Sequence, residues 1–118
     1  MVTGGNATVY ITNMTAALAF YTEVLGMQVT SHYGDHWATV AAGGFTVGLH
    51  PESEKYARPG TPGSIQVGLN VAGSIEAARE KLVAAGAKSV GEVLRGEGGN
   101  FVHFTDPDGN ALYLWGWS

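Results

Sequence analysis

The sequence predicts an α+β fold in which one β-α-β-β-β unit occurs twice along the chain. Three observations indicate this fold: the order of the periodic segments, an internal repeat and a complete hairpin over residues 104–115. The hairpin centre is Asp-Pro-Asp-Gly-Asn, where Pro107 fixes φ and Gly109 accepts a positive φ, so a turn is required there. In the outgoing strand Tyr113 and Trp115 share one face, because successive side chains alternate across a sheet.

The first unit is predicted to begin with a strand over residues 7–12, in which Thr8 and Tyr10 share a face. A helix should follow over residues 14–25, because Asn13 suits an N-cap and apolar residues recur at helical spacing. Gly26 suits the left-handed position that ends a helix. Three short strands complete the unit, over residues 27–33, 36–42 and 45–50.

The second unit repeats this order after a segment rich in proline, glycine and charge. That segment, residues 51–63, is predicted to be a linker, and its residues 52–58 form either a mobile lid or an ordinary solvated connection. A strand over 64–71 and a helix that starts at Gly73-Ser74 and ends at Gly86 come next. Further strands are predicted over residues 88–93, 100–105 and 111–117.

An internal repeat supports this reading, since a shift of 60 residues aligns the ends of strand, helix and cap in the two units. Neither copy of such a unit closes its own sheet, so the copies must pack together or against another chain. We therefore expect a single domain over residues 1–118, with module one at 1–50, the linker at 51–63 and module two at 64–118. The aligned pairs are Ile11 with Val71, Asn13 with Gly73, Ala17 with Ala77, and Gly26 with Gly86.

Composition excludes several classes of function. The absence of cysteine removes thiol catalysis, disulfides and cysteine metal sites. A net charge of −4 without any Lys/Arg cluster argues against a nucleic-acid partner, because phosphate neutralisation needs a basic patch. The first twenty residues contain no Lys or Arg and no unbroken apolar run, so we expect no membrane association and a cytoplasmic location.

Four short motifs occur in order: ITNM at residues 11–14, ALAFY at 17–21, LGM at 25–27 and DPDGN at 106–110. Together with the repeat they resemble the vicinal oxygen chelate superfamily, which groups glyoxalase I, bleomycin resistance proteins, fosfomycin-modifying enzymes and extradiol dioxygenases. The resemblance covers nearly the whole chain. It implies two βαβββ modules that form curved mixed sheets around a cleft, with the helices outside, usually in a homodimer.

The resemblance also implies where a metal would bind, because enzymes of this superfamily hold a divalent ion through His or Glu on the first and fourth strands of each module. Carried onto this sequence, those positions are Asn6, Gly48, Gln66 and Tyr113. Two amides, a glycine and a phenol are poor ligands for ions that prefer carboxylate or imidazole. We therefore expect no metal and no other cofactor.

An organic-ligand cleft is the interpretation that the predicted concave face favours, with rings that stack and polar groups that fix orientation. The alternative is that these rings fill a small barrel or a dimer interface. The candidate ligand-binding residues are Tyr10, Trp37, His50, Gln66, Asn70, Phe101, His103, Tyr113 and Trp115.

The expected function is metal-independent binding of an aromatic or planar small molecule by a homodimer of the bleomycin-resistance kind. Catalysis stays open, and no catalytic residue is identified. The runner-up is a metal-dependent lyase, isomerase or dioxygenase of the same superfamily that uses His50 and His103, and a third reading is a non-catalytic protein-interaction module. His32 and His36 flank a Tyr-Gly-Asp turn and are predicted to lie at a solvated hairpin tip.

Overall fold

The computed structural model describes residues 1–53 and 57–118, and the order β-α-β-β-β occurs twice within them, as predicted. The α+β fold class is therefore confirmed. The elements are β1 (Val2–Ile11), α1 (Met14–Ala19), β2 (Gln28–Tyr33), β3 (Trp37–Ala42), β4 (Phe45–Pro51), β5 (Ile65–Val71), α2 (Ile75–Ala84), β6 (Leu94–Gly96), β7 (Gly99–Thr105) and β8 (Ala111–Gly116).

The chain divides into two compact units. The N-terminal unit is Asn6–Ile65, and the C-terminal unit is Gln66–Ser118 together with Met1–Gly5. Strands of the N-terminal unit lie in the order β2-β3-β4-β1, with β1 parallel to β4 and the other pairs antiparallel. Those of the C-terminal unit lie in the order β5-β8-β7-β6, with β5 parallel to β8 and the other pairs antiparallel. Each unit thus has the predicted mixed sheet.

The first helix begins as predicted but changes its winding. The Asn13 side chain accepts a hydrogen bond from the Ala16 amide at 2.8 Å and so caps α1. From Phe20 to Val24 the chain forms a π-helical turn, in which the Leu25 amide donates to the Phe20 carbonyl at 3.1 Å. Gly26 then ends the helical segment with a φ of +73°.

Each unit has its own apolar core between its helix and one face of its sheet. In the N-terminal unit Met14 of α1 packs with Val40 and Leu49, and in the C-terminal unit Ile75 of α2 packs with Val102 and Leu114. Burying one such large aliphatic side chain contributes about 1.5–3 kcal/mol. The alternate residues of the strands point to the opposite face, which we call the helix-free face of each unit.

The structure differs from the sequence-based prediction over residues 88–93. The strand predicted over residues 88–93 is wrong: that segment makes an isolated bridge between Lys88 and Thr105, and the strand β6 comes later. The reason is local, since Ser89 has a φ of +54°, which lies outside the β region and interrupts the extended backbone. The suggested lid includes residues 54–56, which lie outside the described residues.

No helix in the described part of the chain is long and apolar enough to cross a membrane.

The predicted C-terminal hairpin is confirmed, with Thr105 paired to Ala111 across the turn. Asp106 organises that turn, because its carboxylate accepts hydrogen bonds from the Asp108 amide at 2.9 Å, the Asn110 amide at 2.9 Å and the Asn110 side chain at 2.8 Å. These bonds, first those from the Asn110 side chain and amide, hold the pKa of Asp106 below its ordinary value of 3.8.

Asp106→Asn should therefore lower the free energy of unfolding at pH 7, and its difference from wild type should shrink in acid. A carboxylate with a lowered pKa stabilises the fold above its ordinary pKa of 3.8, and this stability is lost as the pH falls through the folded value. Urea unfolding at pH 7 and pH 3 measures the difference. Asp108→Asn, which removes a charge from the same turn but keeps the Asp106 bonds, is the control. A gap between wild type and Asp106→Asn that is equal at both pH values would contradict the assignment.

Candidate functional site

A row of four rings crosses the helix-free face of the N-terminal unit, one from each strand. Tyr33 pairs with Trp37 in the β2–β3 register, and Tyr10 pairs with His50 in the β1–β4 register. The ring centroids of Tyr10 and His50 are 5.0 Å apart, and those of Trp37 and His50 are 6.3 Å apart, edge to face. Tyr10 is buried, Trp37 and His50 are half-buried, and Tyr33 is exposed. We call this set the ring row.

The His50 ring has a defined orientation within the ring row. Its Nδ1 atom lies 2.7 Å from the Pro51 carbonyl oxygen. Because a carbonyl oxygen only accepts, Nδ1 must carry a proton, and the neutral imidazole then has its acceptor lone pair on Nε2. The contact with the Pro51 carbonyl therefore fixes both the tautomer and the orientation of the His50 ring.

The next row of the same face contains a glycine beneath an aromatic ring. Gly48 pairs with Thr39 on one side and with Thr8 on the other. A Cβ atom at Gly48 would overlap the Trp37 indole, so the indole leans from its own row across the glycine backbone. The Asn6 side chain donates to Thr8 Oγ1 at 2.9 Å, and its amide nitrogen would also lie close to a Cβ atom at Gly48.

The helix-free face of the C-terminal unit also gathers rings, those of Phe101, His103 and Tyr113, which we call the ring cluster. The centroid of Tyr113 lies 6.0 Å from that of Phe101 and 5.7 Å from that of His103, its direct partner in the β7–β8 register. Tyr113 is buried and lies across Gly68, where an added Cβ would overlap the phenol ring. A ring over a glycine therefore occurs in both units.

The polar candidates of the C-terminal unit lie on β5. Gln66 is buried, whereas Asn70 is half-buried, and both are on the same face as Gly68. Asn70 pairs with Trp115 in the β5–β8 register, and its backbone carbonyl accepts a long hydrogen bond of 3.4 Å from Thr3. These two amides therefore border the ring cluster.

Trp115 has a structural contact that the sequence did not indicate. Its indole N–H donates to the Gly98 carbonyl at 2.6 Å, and its ring lies across Gly99, which has a φ of +117°. Trp117 stands edge to face with it at 5.0 Å and is largely exposed. Trp115 thus holds the turn between β6 and β7 in place.

A comparison of the sequence with family models identifies the family. Residues 5–114 match the model of the Glyoxalase/Bleomycin resistance protein/Dioxygenase superfamily. The chain belongs to this superfamily. The resemblance seen in the four motifs is thereby confirmed, and no curated protein matches the sequence.

Solved structures share the superfamily fold at low sequence identity. A Legionella pneumophila chain described as an NAD-dependent benzaldehyde dehydrogenase superposes with a TM-score of 0.80 at 16% identity, covering 98% of this chain and 100% of that one. A superfamily member from Vibrio splendidus gives a TM-score of 0.70 at 17% identity, with 96% and 97% covered. A hypothetical protein from Bacillus halodurans gives 0.70 at 15%, with 96% and 92% covered. Identities this low show a shared fold alone.

The metal positions implied for a superfamily member do not fit a divalent ion here. Asn6 bonds Thr8, Gly48 lies beneath Trp37, Gln66 is a buried amide, and the Tyr113 phenol lies across Gly68. None of these four positions carries the carboxylate or imidazole that such ions prefer. Within residues 1–53 and 57–118, no group of three or more His, Asp or Glu side chains is arranged to hold a metal.

The structure brings some predicted residues together and adds others. Tyr10, Trp37 and His50 form one group, and Phe101, His103 and Tyr113 form a second. The sequence did not select Tyr33, Ser31 or Thr39, which share the face of the ring row. A β-bulge between Val29 and Ser31 reverses the alternation of side chains along β2, and the residue types of this segment give no sign of the bulge.

As predicted, His32 and His36 are exposed at a hairpin turn.

Gly48→Ala should destabilise the N-terminal unit by about 1–3 kcal/mol, because the new methyl group must displace the Trp37 indole. Urea unfolding followed by tryptophan fluorescence measures both the stability and the changed indole environment. Gly44→Ala is the matched control, since an added Cβ there meets open space, and it should change stability by under about 0.5 kcal/mol. Equal stability of the two variants would contradict the contact.

Gly99→Ala should cost on the order of 1–3 kcal/mol, because alanine is strained at a φ of +117° and its methyl group would overlap Trp115. Neighbouring Gly98→Ala places its Cβ in open space and is the control. Thermal unfolding of both variants compares them. A similar small loss in each would show that the Trp115 ring does not pack on this turn.

Proposed function

We propose that the chain is a metal-independent binding protein for an aromatic or planar small molecule, like the bleomycin-resistance members of its superfamily. One observation carries the proposal: aromatic rings occupy the surroundings of the metal positions, with Trp37 over Gly48 and Tyr113 itself over Gly68. Such positions offer flat apolar surface rather than charged oxygen or nitrogen ligands. Stacking on that surface would supply affinity.

The ring row of the N-terminal unit supplies both stacking and orientation in this proposal. Trp37 and Tyr33 expose ring surface, and the His50 ring, held by its Nδ1 contact with the Pro51 carbonyl, would help to fix the orientation of a ligand beside that surface. The net charge of −4 favours a neutral or cationic ligand through long-range attraction.

The ring cluster of the C-terminal unit is the second contact surface in the proposal. Phe101 and His103 of the ring cluster are half-buried, as is Trp115, the register partner of Phe101. Asn70 and Gln66 would contribute amide groups at the border of that cluster.

The homodimer expected from the resemblance stays a prediction, which sedimentation equilibrium would check.

Trp37→Leu and Phe101→Leu should each weaken the binding of a planar aromatic ligand about tenfold or more, because each removes one stacking surface. Isothermal titration of chelator-treated protein against bleomycin and a panel of neutral, cationic and anionic naphthalenes measures this effect. Phe45→Leu is the control, since Phe45 has an exposed ring but shares the strand parity of core residues Val47 and Leu49.

Three results would oppose the proposal. Equal losses for Trp37→Leu and Phe45→Leu would show that the ring row is not the binding surface. Binding that appears only after a divalent metal is added, with about one ion retained per chain, would support the metal-dependent enzyme. No binding by any member of the panel would favour the protein-interaction module.

A further inference from the structure

Three hydroxyl groups form a connected cluster on the helix-free face of the N-terminal unit. Thr39 Oγ1 lies 2.7 Å from Thr30 Oγ1 and 2.5 Å from Ser31 Oγ. Thr30 Oγ1 also donates to the Thr39 carbonyl at 3.3 Å. Thr30 is exposed, while Ser31 and Thr39 are half-buried, so the cluster reaches the surface. We call these three residues the hydroxyl cluster.

The hydroxyl cluster exists because of the β-bulge in β2. Val29 pairs with Val40 and Ser31 pairs with Thr39, so Thr30 is the extra residue of the bulge. In a regular strand Thr30 and Ser31 would point to opposite faces, but here both reach Thr39. Bulges of this kind often lie next to binding sites, where they redirect a side chain.

The position of Thr39 places the hydroxyl cluster beside Trp37. The two residues are neighbours on one face of β3, and Thr39 pairs with Gly48, the glycine beneath the indole. A ring stacked on Trp37 would therefore have the hydroxyl cluster next to it within the same sheet.

We infer that the hydroxyl cluster, set beside Trp37 by the bulge, binds an uncharged polar substituent of the planar ligand, such as a carbonyl, amide or hydroxyl group. This inference rests on the proposed function. Bonded hydroxyls can rotate, so the cluster donates to an oxygen or accepts from an N–H with the same atoms. It contains no positive charge, and the net charge of −4 opposes an anion.

The test uses two probes of similar size, naphthalene-2-carboxamide and 2-ethylnaphthalene, in equilibrium dialysis with the full chain. Wild type should bind the carboxamide more tightly. Thr39→Val, which keeps the β-branched shape, should weaken carboxamide binding roughly threefold to tenfold and leave ethylnaphthalene binding unchanged. Ser31→Ala should act in the same direction, and it provides a second variant if Thr39→Val alters folding. Thr105→Val, which removes a hydroxyl from the C-terminal unit, is the control.

The outcomes separate this inference from the proposed function. If both probes bind and the cluster variants affect them equally or leave both unchanged, the hydroxyl cluster only stabilises the bulged edge strand, and the inference alone is overturned. If wild type binds members of the ligand panel but neither probe, the inference alone fails. If it binds neither the panel nor the probes, the proposed function and the inference both fail. Tighter binding of 2-naphthoate than of the carboxamide would overturn the preference for an uncharged group.

Discussion

Each sheet of this chain has one helix to cover one of its two faces, and the chemistry of the molecule follows from that constraint. Because side chains alternate along a strand, a residue next to a core position must lie on the other face. Leu114 packs beneath α2, and its neighbour Tyr113 consequently stands among rings. Core packing and the ring groups are thus divided between adjacent residues of the same strands.

Glycine determines how the rings lie on the helix-free faces. An indole or phenol can approach the backbone of the next strand only where no Cβ intervenes, and Gly48 and Gly68 provide that space. The rings then lie against the sheet instead of standing out from it. The result in each unit is a flat ring surface whose polar neighbours among the described residues include imidazoles, amides and hydroxyls.

The sequence could predict whatever depends on local periodicity or on turn chemistry. Asn13 as a cap, Gly26 as a helix end and the Asp106 hairpin each depend on bonds within a few residues, so their signals are visible in the letters. Alternation likewise put Tyr113 and Trp115 on one face. The hydroxyl cluster could not be predicted, because it depends on one unpaired residue in β2. The lean of Trp37 across Gly48 depends on packing between strands, which single-strand patterns do not contain.

The π-helical turn after α1 has a further consequence when the two units are compared. The cap Asn13 is thirteen residues before the left-handed Gly26, whereas the cap Ser74 is twelve residues before the left-handed Gly86. One extra residue is therefore present in the first helical segment, and the wider winding of Phe20–Val24 accommodates it within a single turn. Ile11 and Gly26 are nevertheless fifteen residues apart, as are Val71 and Gly86, because the connection before Asn13 is one residue shorter than the connection before Ser74. The shorter connection offsets the longer helical segment, so the strands that carry the rings begin from equivalent points in the two units.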